Sequence, residues 1–101
     1  MKIKKRVAPS VKQDLKEAAN WYNKARKGLG KLFLKEVDKK TKLIVRNPLL
    51  YQVRYTNIRV AFTNIFPYGI HFEYLEDKNQ VNILAVFHTS RNPELLEEEE
   101  N

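Results

Sequence analysis

Three observations predict an α+β fold built on a single sheet. Apolar residues recur at helical spacing through two adjacent stretches, Val11 to Ala25 and Leu29 to Val45. Only a very short connection around Lys27-Gly28 separates them, which demands an antiparallel helical hairpin. From Tyr51 onward, apolar and polar residues alternate with period two instead. The predicted order is an N-terminal strand, the hairpin, then an antiparallel meander (β-α-α-β-β-β), with both helices packed on one sheet face.

Ile3 to Ala8 reads as the first strand. Pro9-Ser10 opens the first helix, with Ser10 as N-cap and Gln13 completing a capping box. Val11, Leu15, Ala18, Tyr22 and Ala25 form its inner face, widened by Ala19 and Trp21. Trp21 and Tyr22 are expected to pack between helix and sheet, each polar tip reaching a partner. Gly28 is the expected stop, free to take the left-handed conformation. Leu29, Phe33, Val37, Thr41 and Ile44 form the inner face of the second helix, with Leu34 and Val45 beside it. Asn47-Pro48 ends it, because the residue before proline disfavours the helical region.

Gln52 to Tyr55 is a short strand, and Thr56-Asn57 suits a tight turn. Ile58, Val60 and Phe62 alternate with Arg59, Ala61 and Thr63. If the helices cover the more apolar set, Arg59 lies on the bare face. Phe66-Pro67-Tyr68 marks a reversal, since proline cannot donate to a ladder. Ile70, Phe72 and Tyr74 then alternate with His71, Glu73 and Leu75, which assigns His71 and Glu73 to the exposed face. Glu76-Asp77-Lys78-Asn79 is a polar hairpin loop, and Ile83 to Phe87, apolar on both sides, reads as the central strand. That strand stops at His88, with Arg91 three residues later before Asn92-Pro93.

The 101 residues suffice for one modest core, expected over residues 1–93, followed by an acidic tail over 94–101 kept solvated and mobile by charge repulsion. The formal charge of +7 is uneven. Residues 1–46 carry 15 Lys/Arg against 4 Asp/Glu, whereas residues 94–101 carry five glutamates and no cation. A basic N-terminal half suits nucleic acid, a ribosome or an acidic protein segment, or else it is a solvated lysine-rich helix surface. With no cysteine, disulfides and thiolate chemistry are excluded and a reducing cytoplasm is the expected compartment. Neither a signal peptide nor a transmembrane stretch is expected. Glycine-rich phosphate loops and metal-ligand spacings do not occur, so no cofactor, metal or small-molecule ligand is expected.

Several motifs, in order, carry a family resemblance. They are Ala18-Ala19-Asn20-Trp21-Tyr22, Gly28-Leu29-Gly30 with Phe33, and Asn47-Pro48. Ile58-Arg59, Phe66-Pro67-Tyr68, and Ala85-Val86-Phe87-His88 followed by Arg91-Asn92-Pro93 complete the set. Together, over residues 3–93, they resemble the RelE/ParE superfamily of toxins from bacterial type II toxin–antitoxin systems. RelE-type members cut messenger RNA in the ribosomal A site. ParE-type members share the fold without that residue set, and characterised examples poison DNA gyrase. RelE-type sequences usually place an arginine directly after the tyrosine of the penultimate strand, whereas here Tyr68 is followed by Gly69. The resemblance therefore points to the ParE-like branch. It implies growth inhibition and plasmid stabilisation by a non-enzymatic binder of DNA gyrase, neutralised by a cognate antitoxin. The alternatives are a ribosome-dependent mRNA endoribonuclease and an inactive toxin that only binds its antitoxin. The family's basic C-terminal segment is replaced here by glutamates, which could cover basic surface of the same molecule.

Under the nuclease alternative, the resemblance makes Arg59, His88 and Arg91 the catalytic candidates. Arg59 would hold phosphate, or else be a surface cation paired across strands with Glu73. His88, titrating near physiological pH, would move a proton, or else cap its strand by bonding a neighbouring loop. Arg91 would clamp a phosphate or carboxylate bidentately, or else tie the C-terminal loop to the sheet.

Overall fold

The computed structural model describes residues 2–90. Along the chain run β1 (Lys4–Val7), α1 (Pro9–Ala25), α2 (Leu29–Arg46), a short 3-10 turn (Pro48–Leu50), β2 (Val53–Tyr55), β3 (Ile58–Phe62), β4 (Tyr68–Leu75) and β5 (Gln80–His88). The five strands form one sheet in the order β1-β5-β4-β3-β2. The expected hairpin, the meander and the α+β class are all present, with four strands after the hairpin where the order β-α-α-β-β-β counts three. β2 to β5 pair antiparallel, and β1 joins β5 in parallel, so the sheet is mixed. The parallel pair follows from six successive reversals between β1 and β5, an even number. β5 is an interior strand as expected, but β4 occupies the centre.

The start of α1 differs from expectation. Ala8 is the N-cap, Pro9 takes the first helical turn, and no side chain caps the helix. Gln13 instead donates to Glu17 at 3.1 Å along the exposed side. Proline itself starts the helix: its fixed φ suits the first helical position, and its missing N–H leaves one fewer orphan donor. The hairpin turn is as read, with Gly28 at φ +86°. Gly30 then lets the helices touch. A methyl group there would strike the carbonyl oxygen of Ala19 and the Asn23 side chain, whose Oδ1 accepts from the Gly30 N–H at 2.8 Å.

The core lies between the hairpin and one sheet face. Val11 and Ala19 from α1 meet Phe33, Val37 and Ile44 from α2 over Ala61, Ile70, Phe72, Val81, Ile83 and Val86. At one end, Phe33 gathers Tyr22, Phe66 and Tyr68 within ring-centroid distances of 4.8 to 5.3 Å. Trp21 departs from expectation: it is 66% exposed and meets the Tyr22 ring edge-on at 5.1 Å. One position before Tyr22, it is rotated about 100° around the helix and passes over the rim of the core instead of into it.

The face assignment of β3 is also corrected. Arg59 pairs with Phe72, and Ala61 with Ile70, both core residues, so Arg59 and Ala61 face the helices. Ile58, Val60 and Phe62 take the other face. Alternation separates two faces but does not say which is covered; register with Ile70 and Phe72 decides that. A bulge at Leu84, between the pairs His71↔Ala85 and Phe72↔Ile83, keeps both Ile83 and Val86 on the core side.

Candidate functional site

The helix-free face of the sheet carries two cross-strand rows. Val60, His71 and Ala85 form one; Phe62, Gly69 and Phe87 form the next. Gly69 contributes no side chain, and a hollow of about 180 Å³ opens between β3 and β5, lined by Val60, Phe62, His71 and Phe87 with Arg54 and His88 at its ends. A methyl group at Gly69 would stand 2.9 Å from Cγ1 of Val60, so even alanine presses on the wall. The guanidinium of Arg54 lies 5.6 Å from the centroid of the Phe62 ring, and Phe62 is 48% exposed. That stacking orients the cation over an apolar wall.

His71 forms the floor. It shares the face predicted for it, but it is buried, not exposed. Its Nδ1 lies 2.7 Å from the Tyr55 hydroxyl, and its ring centroid 5.0 Å from that of Phe87. Burial lowers its pKa below the ordinary imidazole value, so the ring is neutral at physiological pH. Its neighbour in the prediction, Glu73, accepts from Asn82 Nδ2 at 2.8 Å.

The sequence-level candidates do not converge here. Arg59 donates from Nη1 to the carbonyl oxygen of Tyr51 at 2.6 Å, on the helix side of the sheet and away from Glu73. His88 ends β5 beside α1, in a cleft that includes Asp14 and Glu17. Its Nδ1 accepts from the Ser90 N–H at 3.1 Å and lies 2.8 Å from the Ser90 hydroxyl, which is the strand-capping arrangement. Arg59 pairs with Phe72 and His88 with Tyr68 on the intervening β4, so ladder spacing separates them by about 16 Å. Arg91 and the acidic tail lie outside the described residues. Sequence reasoning missed Tyr55, Phe62 and the hollow itself. A glycine inside strand β4 was the available signal, since strand glycines often mark close approach of another group.

Chemically, the hollow suits an apolar side chain, with Arg54 at its edge for a carboxylate or carbonyl. Among the described residues, no group of three or more His, Asp or Glu is arranged to hold a metal ion, and no helix is long and apolar enough to cross a membrane.

Comparison with known proteins agrees with this architecture. The chain is similar to a protein of the chromosomal ParDE toxin–antitoxin system from P. aeruginosa, with TM-score 0.74 and 12% identity, covering 85% of this chain and 95% of that one. It is similar to the isolated E. coli RelE toxin, with TM-score 0.65 and 12% identity over 97% of this chain and 96% of that one. It also resembles a chain of the archaeal RelE–RelB complex from Pyrococcus horikoshii OT3, with TM-score 0.51 and 12% identity over 91% and 100% of the two chains. At such identity these likenesses establish the shared fold. No curated protein matches the sequence. The family model described as the ParE toxin of the type II toxin–antitoxin system parDE matches residues 6–93, and the chain belongs to that family.

Proposed function

We propose that this type II toxin arrests growth by binding DNA gyrase through the hollow on its open sheet face, with no chemistry of its own. The observation that carries the reading is Gly69. In the nuclease branch of the superfamily, an arginine follows the equivalent tyrosine; here the same position is a gap walled by Phe62 and Phe87. A gap with aromatic walls favours insertion of a partner's apolar side chain, the usual anchor of a protein interface. A cognate antitoxin neutralises the toxin by folding an acidic and apolar segment over its surface. Such partners are cytoplasmic, and the toxin acts there; carried on a plasmid, the pair would stabilise its inheritance.

Induced expression, followed in parallel by a supercoiling assay with purified gyrase, tests the reading. Growth arrest with inhibited supercoiling and DNA breaks is expected, and Gly69→Arg, which fills the hollow, should abolish both while the folded protein still binds its antitoxin. Cleavage of transcripts at the ribosomal A site with supercoiling intact would instead support the second reading, a ribosome-dependent endoribonuclease. Absence of any growth defect would leave only the antitoxin-binding role.

A further inference from the structure

The outer side of α2 carries a feature that the open face does not use. Lys31, Lys35, Lys39, Lys42 and Arg46 follow one another at intervals of four, four, three and four residues, opposite the buried Phe33, Val37 and Ile44. All five are exposed and form one straight ridge about 22 Å long. Beside its last turns, Lys5 of β1 joins Lys42 and Arg46 around a shallow hollow whose remaining lining residue is Val45. The ridge is almost uncompensated. Among the described residues, the ion pair between Lys42 Nζ and Asp38 at 3.0 Å is the one salt bridge, and both side chains are largely exposed. An exposed pair of this kind is weak and readily exchanged for a stronger anion.

We propose that this ridge, flanked by Lys5, docks the phosphate backbone of duplex DNA. Four of its five cations are lysines, which protein interfaces tend to exclude from their cores, and none of the five positions supplies an apolar anchor. Lysine does serve phosphate as a point charge, and Arg46 adds a planar fork where three cations meet. The ridge carries no aromatic ring on which unpaired bases could stack, so single strands are not its ligand. Its straightness over several cation spacings matches a rigid polyanion with regularly spaced charges. The choice of DNA over an RNA duplex rests on the proposed gyrase target, an enzyme that holds duplex DNA.

The test uses the full chain alone, without gyrase, so that its outcome is separate from that of the gyrase reading. Anisotropy of a labelled DNA duplex of about 20 base pairs is measured between about 50 and 200 mM salt. Binding that weakens steeply with salt is expected. Lys35→Glu with Lys39→Glu should weaken it by about tenfold or more and make the salt slope shallower by about 2. Lys24→Glu with Lys78→Glu changes net charge equally at exposed positions off α2 and should stay within about twofold of wild type. Circular dichroism verifies that both variants keep their helices. Equal losses in the two variants would show a net-charge effect and overturn the proposal. So would salt-insensitive or absent binding by the wild type, or tighter binding to an RNA duplex of the same sequence or to polyglutamate.

Discussion

The hydroxyl of Tyr55 lies 2.7 Å from Nδ1 of His71, joining the edge strand β2 to the central strand β4 beneath the open-face hollow. The bond spans two strands, since β3 lies between them. It gives a buried imidazole a partner that water would otherwise supply, and it ties a three-residue edge strand to the middle of the sheet.

Tyr55→Phe should therefore destabilise the fold by about 1 kcal/mol, because it removes one hydrogen bond and leaves a buried imidazole nitrogen unsatisfied. Urea denaturation measures this loss. An unchanged midpoint would mean that the bond is not formed in solution.

The same histidine gives stability a pH dependence. Its folded pKa is lowered by burial, so below about pH 6.5 the unfolded chain takes up a proton that folded His71 resists. The stabilisation of neutral His71 is complete above that pH. It declines as pH falls toward the lowered folded pKa and levels off beneath it. His71→Gln should flatten this part of the profile, measured by denaturation at intervals from about pH 8 to pH 5.

Two aromatic substitutions should separate core from surface. Phe33 is fully buried among Tyr22, Phe66 and Tyr68, and Phe33→Ala is expected to cost about 3–5 kcal/mol. Trp21→Ala, on the exposed outside of α1, should change stability by about 0.5 kcal/mol or less. Thermal denaturation of both compares them directly. A large loss at Trp21 would contradict its placement on the surface.

Gly30→Ala should destabilise by about 1–3 kcal/mol, because the added methyl meets the Ala19 carbonyl on the facing helix and the helices must separate. Helical propensity alone predicts the opposite sign, since alanine is the better helix former. The direction of the melting-temperature change decides between them.

Ile65 offers a stabilising change. It is 74% exposed and held at φ +72°, inside a tight turn closed by the Phe66 N–H donating to the Asn64 carbonyl at 2.7 Å. A β-branched residue pays steric strain there that glycine does not, so Ile65→Gly should stabilise by about 1 kcal/mol in denaturant titration. If Ile65 instead belongs to a partner interface, the same variant loses affinity while gaining stability.

Local chemistry made much of this fold legible. Gly28 at the hairpin and Pro48 after α2 act through their own backbone restrictions, independent of what surrounds them. The spacing of Phe33, Val37, Thr41 and Ile44 likewise identifies the buried side of α2, because helix geometry alone places them on one line. The first helix was read less well, since Ser10 and Pro9 offered rival starting signals and the proline took the helical position.

The amino-acid order by itself determined the elements, their sequence along the chain, and the two alternating sides of β3 and β4. Which side of β3 the helices cover was decided only by tertiary pairing. The register of Arg59 with Phe72 and of Ala61 with Ile70 turns Arg59 inward and Val60 outward, and the bulge at Leu84 brings Ile83 and Val86 to the same covered side. The hollow at Gly69 has the same origin: its walls come from strands far apart in sequence, and a glycine becomes a cavity only when large side chains are brought up on both sides of it.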